Sequence, residues 1–246
     1  MTTLNWSGQT WTIRVASTGT APGPNAWGAS TPQDYSVDGG GNLLLNVYFD
    51  GSFWRCVELD GNTALGYGQY TWVINTCPIG WDINYVLGLF TYDSTDDGTH
   101  FFREIDIELA QWGVVQASRF WYTNQPGTDS NQTGDHPSSF AAPYTATFIW
   151  QAGQIYWKVT DTHGLILGEH VCTNDVQAPN GASGPMPIMN LWLQGATGPG
   201  GNGAPANGQS LSVSLASFSF TPSVTHSLVA AASTAVSFPS AVYVSG

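Results

Sequence analysis

Hydrophobic and polar residues alternate in short runs along most of the chain, which is typical of β-strands with one buried face. The segment 11–18, for example, places Trp11, Ile13 and Val15 on one side. Gly, Pro, Asn and Asp cluster between the runs, and no segment shows a convincing helical periodicity. The predicted strands are 11–18, 42–49, 53–59, 67–77, 84–92, 101–109, 115–124, 144–150, 154–161, 166–171, 187–194 and 210–220.

Two local patterns add detail to this prediction. Asp50-Gly51 lies between two apolar runs and is a strong hairpin signal. In the last strand the apolar positions change parity after Leu215, which predicts a β-bulge at Ala216-Ser217. About a dozen short strands without a helix predict an all-β sandwich or barrel.

The runs follow one another without a linker, so we predict one domain over residues 1–221. Residues 195–209 are rich in Gly and Pro and are interpreted as a flexible loop within that domain. The remaining segment, 222–246, mixes small and apolar residues with almost no charge. It is expected to form either one or two extra strands or a partly ordered C-terminal extension.

Charge is scarce and one-sided, and this excludes several classes of function. Asp, Glu, Lys and Arg make up 9% of the chain, and 17 acidic residues face 5 basic ones. Proteins that bind nucleic acid need a basic surface, and the formal net charge of −12 also disfavours an anionic membrane. No apolar run is long enough to span a bilayer. A weakly charged, aromatic-rich surface favours a neutral, polyhydroxylated partner.

The cysteines and histidines form no recognisable metal-binding motif. The 3 cysteines occur without a C-x-x-C spacing, and the 5 histidines are scattered. This argues against a structural zinc site, and we predict no metal ligands. An odd number of cysteines leaves at least one thiol free in a monomer.

The strongest chemical signal is the segment 103–109, where acidic and aliphatic residues alternate. Because alternate residues of a strand share a face, Glu104, Asp106 and Glu108 project together, and the aliphatic side chains project into the core. Adjacent carboxylates repel one another and raise at least one pKa, which folding alone does not favour. The alternatives are a solvated strand face, which the flanking aromatic residues do not suit, and a calcium site, which needs loop carbonyls.

Such a set suits hydrolysis of a glycosidic bond with retention of configuration. This reaction uses a carboxylate nucleophile and a carboxylic acid about 5–5.5 Å apart. Residues i and i+4 of a strand are about 13 Å apart at Cα. The side chains of Glu104 and Glu108 can close most of that distance by leaning toward each other, and Asp106 can hydrogen-bond the nucleophile between them.

The acidic segment also resembles a known signature. Glu104-Ile105-Asp106-Ile107-Glu108 is similar to the Glu-x-Asp-x-Glu motif of glycoside hydrolase family 16, in the uninterrupted form of its lichenase and xyloglucan branches. Further similarities to lichenases occur in the same order and extend over roughly residues 11–220: Cys56-Val57-Glu58, Gly66-Tyr67-Gly68-Gln69-Tyr70, Leu89-Phe90-Thr91-Tyr92, Trp121-Tyr122-Thr123-Asn124 and Met189-Asn190-Leu191-Trp192.

The resemblance implies a β-jelly-roll sandwich of two antiparallel sheets with a sugar-binding cleft on its concave face. By position, Glu104 matches the nucleophile, Glu108 the acid/base and Asp106 the residue that assists between them. The polar Asn190 and Glu58, each inside an apolar strand, need partners there. The positions that match sugar contacts in the family are Asn25, Glu58, Phe90, Tyr92, Phe102, Tyr122, Asn190 and Trp192.

The chain departs from the lichenase pattern at several positions. Phe102 stands where the family has Trp, Asp60 where it has Arg, and Phe120 where it has Asn. Leu193-Gln194 replaces a conserved Asn after the Met189 motif. We therefore expect sugar to bind differently away from the cleavage point, and linkage specificity does not transfer.

Three further expectations concern cysteine, calcium and Arg103. Cys56 lacks the N-terminal Cys with which lichenases form a disulfide, and Cys77 is an alternative partner. The C-terminal strand lacks the Asp that helps to hold the family's structural calcium, so no calcium and no other cofactor is predicted. Arg103 should point away from the carboxylate face, and we interpret it as an ordinary partner for surface carboxylates.

The sequence thus predicts a retaining endo-β-glucanase that hydrolyses β-1,3-1,4- or β-1,3-glucan through a covalent glycosyl-enzyme intermediate. A xyloglucan-type transglycosylase is one alternative, and a non-catalytic sugar-binding lectin on the same fold is another. The expected partner is a β-glucan polysaccharide or oligosaccharide bound by a monomer. Secretion is inferred from that substrate, since the first residues show no signal peptide. The shortage of ionised groups further suggests an enzyme that works in acid.

Overall fold

Strands make up nearly all the regular structure of the computed structural model, which describes residues 2–20, 25–28, 31–76, 82–113, 115, 119–135, 142–181, 184–194 and 204–223. These ranges include the 3-10 turn Phe101–Arg103 and contain no helix long and apolar enough to cross a membrane. The strands are β1 (Thr3–Trp6), β2 (Gln9–Ile13), β3 (Ala16–Thr20), β4 (Asn25–Trp27), β5 (Tyr35–Val37), β6 (Leu43–Phe49), β7 (Trp54–Gly61), β8 (Gly68–Thr76), β9 (Tyr85–Tyr92), β10 (Ile105–Ala110), β11 (Phe120–Asn124), β12 (Gln132–Asp135), β13 (Tyr144–Gln151), β14 (Gln154–Asp161), β15 (Ile166–Cys172), β16 (Met186–Leu193) and β17 (Leu211–Pro222).

Most of the strands form two sheets that pack face to face, while β3 and β4 pair with each other and β4 lies parallel to the start of β7. The front sheet has the order β1-β2-β7-β16-β9-β10-β11-β12, with antiparallel neighbours. The back sheet has the order β5-β6-β17-β8-β13-β14-β15, again antiparallel. β6 and β7 pair around the predicted Asp50-Gly51 turn, so this hairpin joins the two sheets. The arrangement is the β-jelly-roll sandwich that the sequence predicted.

Large apolar side chains from both sheets fill the space between them. The ring of Tyr122, from the front sheet, lies 6.2 Å from that of Trp157, from the back sheet. Burying a side chain of this size stabilises a fold by roughly 2–3 kcal/mol. Much of the aromatic content of the sequence therefore serves packing rather than surface recognition. The fully buried tryptophans are Trp11, Trp27, Trp72, Trp150 and Trp157.

Some element boundaries differ from the sequence prediction. The predicted strand 11–18 is interrupted, since β2 ends at Ile13 and β3 begins at Ala16. The predicted strand 115–124 begins only at Phe120. The strands β1, β4, β5 and β12 have only three or four residues each, too few for an alternation to be recognised. Residues 224–246, most of the predicted extension, lie outside the described ranges.

The last strand contains the predicted bulge. Val213 and Leu215 are buried, and burial then passes to Phe218. The pairing of β17 with β8 shifts register between Leu215 and Ser217, which leaves Ala216 as the extra residue. The parity change seen in the sequence is thus confirmed as a β-bulge.

The cysteines do not form the pair that the sequence left open. Cys56 and Cys172 are both free and buried. The Cys56 thiol donates a hydrogen bond to Asn25 Oδ1 at 3.0 Å, and burial raises its pKa. The proposed Cys56–Cys77 disulfide is therefore wrong, and Cys77 itself lies outside the described residues.

We expect a reducing agent to leave the thermal unfolding midpoint of the protein unchanged, because Cys56 and Cys172 are free and a disulfide within the chain needs two of its three cysteines. Melting curves recorded by circular dichroism with and without dithiothreitol measure this. A midpoint that falls on reduction would contradict the assignment of Cys56 and Cys172 as thiols.

Candidate active site

A cleft runs across the outer face of the front sheet, on the side away from the core. It consists of two adjoining depressions of about 580 Å³ and about 300 Å³, which share Glu104. We call them the first and second lobe. The first lobe is lined by Arg14, Glu58, Asp60, Phe90, Tyr92, Ser94, Glu104, Met186 and Ile188, and the second by Glu104, Asp106, Glu108, Trp112, Thr123, Gln125, Gly127, Gln132 and Trp192.

The pleat of β10 turns the acidic side chains into this cleft. Asp106 and Glu108 alternate with residues of the core, as the sequence pattern predicted. Asp106 lies opposite Phe90 of β9 and Thr123 of β11, and residues that pair across antiparallel strands share a face. The second lobe thus has a carboxylate floor at the centre of the front sheet.

Glu104 reaches the same cleft from a different backbone conformation. The predicted strand 101–109 is wrong at its start, because β10 begins only at Ile105. The preceding residues Phe101, Phe102 and Arg103 have left-handed φ values of 51°, 55° and 49°. Each such residue with a Cβ costs about 1–2 kcal/mol, so the apolar pair of phenylalanines is not part of a strand. The turn ends at Glu104, the residue directly before β10.

Burial and mutual repulsion raise the pKa of all three carboxyl groups. Burial, and then the charge of Glu58, raise the pKa of Glu104 to about 7. Burial, and then the charge of Glu104, raise the pKa of Glu108 to about 8. The pKa of Asp106 is raised by burial and by both neighbours, against a hydrogen bond from Gln125. The three groups therefore hold protons to a higher pH than ordinary carboxyl groups do, so an acid and a carboxylate can coexist in the site near neutral pH.

Glu58 lies at the centre of a polar network in the first lobe. Arg14 Nη1 donates to Glu58 Oε1 at 2.6 Å, and Asn190 Nδ2 donates to Glu58 Oε2 at 2.9 Å. Glu58 and Asn190, two polar residues inside apolar strands, are thus partners of each other. Asn190 Oδ1 is buried and accepts no hydrogen bond within the described structure. A Cβ at Gly88 would collide with that oxygen, so only glycine fits opposite Asn190.

Asp60 is a cleft residue that sequence reasoning noted only as a departure from a family pattern. Its Oδ1 atom is buried without a hydrogen-bond partner in the described residues. Burial, and then the charge of Glu58, raise its pKa to about 7, against the opposing charge of Arg14. Arg14, Met186 and Gln125 also line the cleft and were not predicted. Gln125 could have been found, since it directly follows the Trp121–Asn124 motif.

Aromatic side chains border the carboxylates on both sides. Phe90 and Tyr92 line the first lobe, as expected. Phe102 lines neither lobe but stacks on Tyr92, with ring centroids 5.0 Å apart and planes 14° apart. In the second lobe, Trp192 lies 6.4 Å from Trp112. The two lobes thus offer apolar ring faces beside acidic and amide groups.

Two predicted sugar contacts do not face the cleft. Tyr122 pairs with Ile107, so the strand register turns its ring into the core, where it is fully buried. Asn25 is also fully buried, and its Oδ1 accepts hydrogen bonds from the Cys56 thiol and from the Leu193 N–H. Because neither side chain has accessible surface, both predictions are wrong for this conformation.

No metal centre is evident in the part of the chain that the structure describes. No group of three or more His, Cys, Asp or Glu side chains there is placed to hold an ion. The expectation that the protein needs no cofactor stays a prediction.

Comparisons with known proteins establish the fold. No protein-family model matches the chain. No curated protein matches it either. Among solved structures, a Bacillus licheniformis β-glucanase is 23% identical, with a TM-score of 0.64 over 89% of this chain and 95% of that one.

Two further solved structures have the same fold at lower identity. A glycoside hydrolase family 16 endo-glucanase from Bacteroides ovatus is 14% identical, with a TM-score of 0.63 over 86% of this chain and 94% of that one. An immunostimulatory antigen and pseudo β-1,3-glucanase of Mycobacterium tuberculosis is 16% identical, with a TM-score of 0.59 over 83% and 88%. These likenesses agree with the resemblance seen in the sequence.

The raised pKa of Glu108 predicts a pH-dependent cost to stability. A carboxyl group whose pKa is higher in the folded state binds its proton more tightly there. Its contribution to the free energy of unfolding is therefore complete in acid and is lost as the pH rises toward about 8. Glu108→Gln cannot ionise, and we expect it to reduce the fall in unfolding free energy between pH 5 and pH 8 by about 1 kcal/mol or more. Urea denaturation at both pH values measures this.

Glu169→Gln is the matched control, because Glu169 is an exposed carboxylate on the back sheet. It should keep the pH dependence of the unmodified protein. If the stability of the Glu108→Gln variant depends on pH as that of the unmodified protein does, the assignment of a buried, proton-retaining group at this position is contradicted.

Proposed function

We propose that the protein is a retaining endo-β-glucanase of the glycoside hydrolase family 16 type, acting on β-1,3-1,4- or β-1,3-glucan. The observation that carries this proposal is the set Glu104, Asp106 and Glu108, which lies on one cleft floor with raised pKa values. Perturbed carboxyl groups in a cleft are typical of catalytic sites. The order of the sequence motifs and the fold of the β-glucanases support the same assignment.

In the first step, the Glu104 carboxylate attacks the anomeric carbon and forms a covalent glycosyl ester. The glycosidic bond breaks, and Glu108 donates its proton to the departing oxygen. Burial raises the pKa of both glutamates, so one of them can hold a proton near neutral pH while the other is ionised. The sequence resemblance, in which Glu104 matches the nucleophile and Glu108 the acid/base, assigns that proton to Glu108.

In the second step, Glu108, now a carboxylate, removes a proton from water. The resulting hydroxide attacks the anomeric carbon, and the ester bond to Glu104 breaks, so that the product retains its configuration. Asp106 lies on β10, between Glu104 and Glu108 in the sequence. Its pKa is raised, so it can donate a hydrogen bond to Glu104 as the charge on that group changes.

The rest of the cleft suits a neutral sugar chain. Phe90, Tyr92 and Trp192 offer apolar faces against which pyranose rings can pack. Asp60 Oδ1 and Asn190 Oδ1 are buried acceptors without partners in the described residues, and sugar hydroxyls can supply the missing donors. A β-glucan polysaccharide or oligosaccharide is therefore the proposed partner. Since such polymers lie outside cells, we propose that the protein is secreted and acts as a monomer.

A non-catalytic lectin on the same sandwich is the rival from another class. The mycobacterial pseudo-glucanase shares the fold, so the fold alone does not decide between catalysis and binding. The carboxylates favour catalysis, because placing three of them together without a chemical role only destabilises the protein. The transglycosylase alternative uses the same groups and differs in the acceptor that ends the second step.

We expect Glu104→Ala and Glu108→Ala each to lower the hydrolysis rate at least about 100-fold while the fold is kept, since each removes a group that acts on the reacting atoms. Glu169→Ala, which removes the exposed glutamate of the back sheet, should leave the rate unchanged. Reducing-sugar release from barley β-glucan, laminarin and xyloglucan measures activity and linkage preference. Near-normal activity in either cleft variant would reject the mechanism.

The outcome for the unmodified protein separates the alternatives. Binding of a glucan without any release of reducing ends would support the lectin. Product analysis with an excess of acceptor oligosaccharide distinguishes hydrolysis from transglycosylation, since a transglycosylase would yield elongated chains.

Glu58→Gln should move the acid limb of the pH–rate profile to lower pH. The negative charge of Glu58 raises the pKa of Glu104, so its removal makes Glu104 easier to ionise. Asp60→Asn is the matched control, because Asp60 is a neighbouring cleft carboxyl whose charge does not contribute to the pKa of Glu104. An acid limb that moves equally in both variants, or in neither, would contradict this coupling.

A further inference from the structure

The turn before Glu104 is an unusual piece of backbone. Phe101, Phe102 and Arg103 all have left-handed φ values, although none is glycine. Residues with a Cβ normally visit this region singly, and a run of three persists only where surrounding contacts hold it. The contacts that hold this turn must therefore offset the cost of its left-handed residues.

We infer that Arg103, together with Asp93 and Asp96, is a positioning residue that fixes the Glu104 carboxylate in the cleft by holding this left-handed turn. The inference rests on the proposed role of Glu104 as nucleophile. Arg103 lines neither lobe, so it acts through the backbone and not on the substrate.

We call the contacts that Arg103, Asp93 and Asp96 make around this turn the clamp. Its first part is a buried ion pair. Arg103 Nη1 lies 2.8 Å from Asp93 Oδ2, and the two side chains are only 8% and 0% exposed. Asp93 also donates its backbone N–H to the carbonyl of Phe102 at 2.7 Å. This corrects the interpretation of Arg103 as a partner for surface carboxylates. Removing either member of such a buried pair strongly destabilises the fold, because the other charge is left buried and unpaired.

The second part is the carboxylate of Asp96, which caps the turn from within. Asp96 Oδ2 accepts the backbone N–H groups of His100 and Phe102 at 3.0 Å and 2.8 Å. Its other oxygen, Oδ1, lies 3.7 Å from Arg103 Nη1. One carboxylate thus satisfies two amides of the turn and also faces the guanidinium group.

The turn is also tied to neighbouring elements of the sandwich. Arg103 Nε donates to the carbonyl of Ala178 at 2.7 Å, and Thr91 Oγ1 of β9 donates to the carbonyl of Arg103 at 3.0 Å. The Glu104 N–H donates to the Phe101 carbonyl at 3.2 Å, and the Glu104 carbonyl accepts the Gln125 N–H at 3.1 Å. Because Glu104 precedes the first residue of β10, these contacts, and not the strand pleat, set its position.

The test is the double variant Asp93→Asn/Arg103→Met, which removes the buried ion pair and keeps the Asp96 carboxylate that accepts the N–H groups of His100 and Phe102. Misplacing a reacting group by about 1 Å can cost about 100-fold in rate, so kcat on the glucan hydrolysed by the unmodified protein should fall about 10- to 100-fold. KM should change little, because the lining residues of the cleft are untouched. Amide hydrogen exchange of the segment 101–105 should become faster.

Arg55→Met is the matched control for the loss of an arginine. Arg55 pairs with Asp50 at 2.6 Å in the β6–β7 hairpin and lines neither lobe. This variant should keep both kcat and the exchange rate of the 101–105 segment. A fall in kcat equal to that of the double variant would show that the effect is not specific to the clamp and would overturn the inference.

A glycine substitution tests whether backbone strain is the cause. Adding Phe101→Gly to the double variant removes the left-handed penalty at a φ of 51° and should recover part of kcat. Adding His100→Gly instead, at a φ of −113°, should recover nothing. Unchanged kcat and exchange in the double variant, or equal recovery by both glycines, would overturn the inference.

The proposed function and this inference can fail separately. If the unmodified protein cleaves no glucan, the proposed function fails, and the exchange measurement alone decides the inference. Faster exchange of the 101–105 segment in the double variant then supports a clamp on Glu104, and unchanged exchange rejects it. If the unmodified protein is active and the double variant equally so, only the inference fails.

Discussion

The crowding of three carboxyl groups on the floor of one cleft is the constraint on which the rest of the site depends. Glu104, Asp106 and Glu108 are partly or wholly removed from water and lie close enough to raise one another's pKa. Such an arrangement destabilises the fold whenever more than one group is ionised. It persists because the opposite face of β10 is anchored in the core by Ile107 and Leu109, which are 2% and 3% exposed.

The sandwich supports the cleft through the strict alternation of its central strands. Every second residue of β9, β10 and β16 packs against the back sheet, so the intervening residues are held at fixed spacing on the outer face. Asn190 and Glu58 meet across β16 and β7 for this reason, since they pair directly in the sheet. The apolar core and the polar cleft are thus two faces of the same strands.

The sequence could predict which face each strand turns to the core, but not the register between strands. Alternation alone placed Asp106 and Glu108 correctly. Tyr122 was expected in the cleft only because it matches a sugar contact of the family. Phe120, Trp121 and Tyr122 are consecutive aromatic residues, so alternation does not show which of them faces the core, and only the pairing with Ile107 does.

The turn at Phe101–Arg103 escaped prediction for a different reason. Two adjacent phenylalanines favour a strand by their intrinsic propensity. The tertiary contact of Arg103 with Asp93, ten residues earlier, holds the left-handed backbone instead.

The shortage of basic residues explains how the carboxyl groups can keep their protons. Only 5 Lys and Arg are present, and two of the arginines next to the cleft are already paired, Arg14 with Glu58 and Arg103 with Asp93. The ion pairs of the described residues leave Glu108 without a cation. A guanidinium group beside Glu108 would stabilise its ionised form and lower its pKa. The low charge of the chain is therefore part of what allows the carboxyl groups of the cleft to keep raised pKa values.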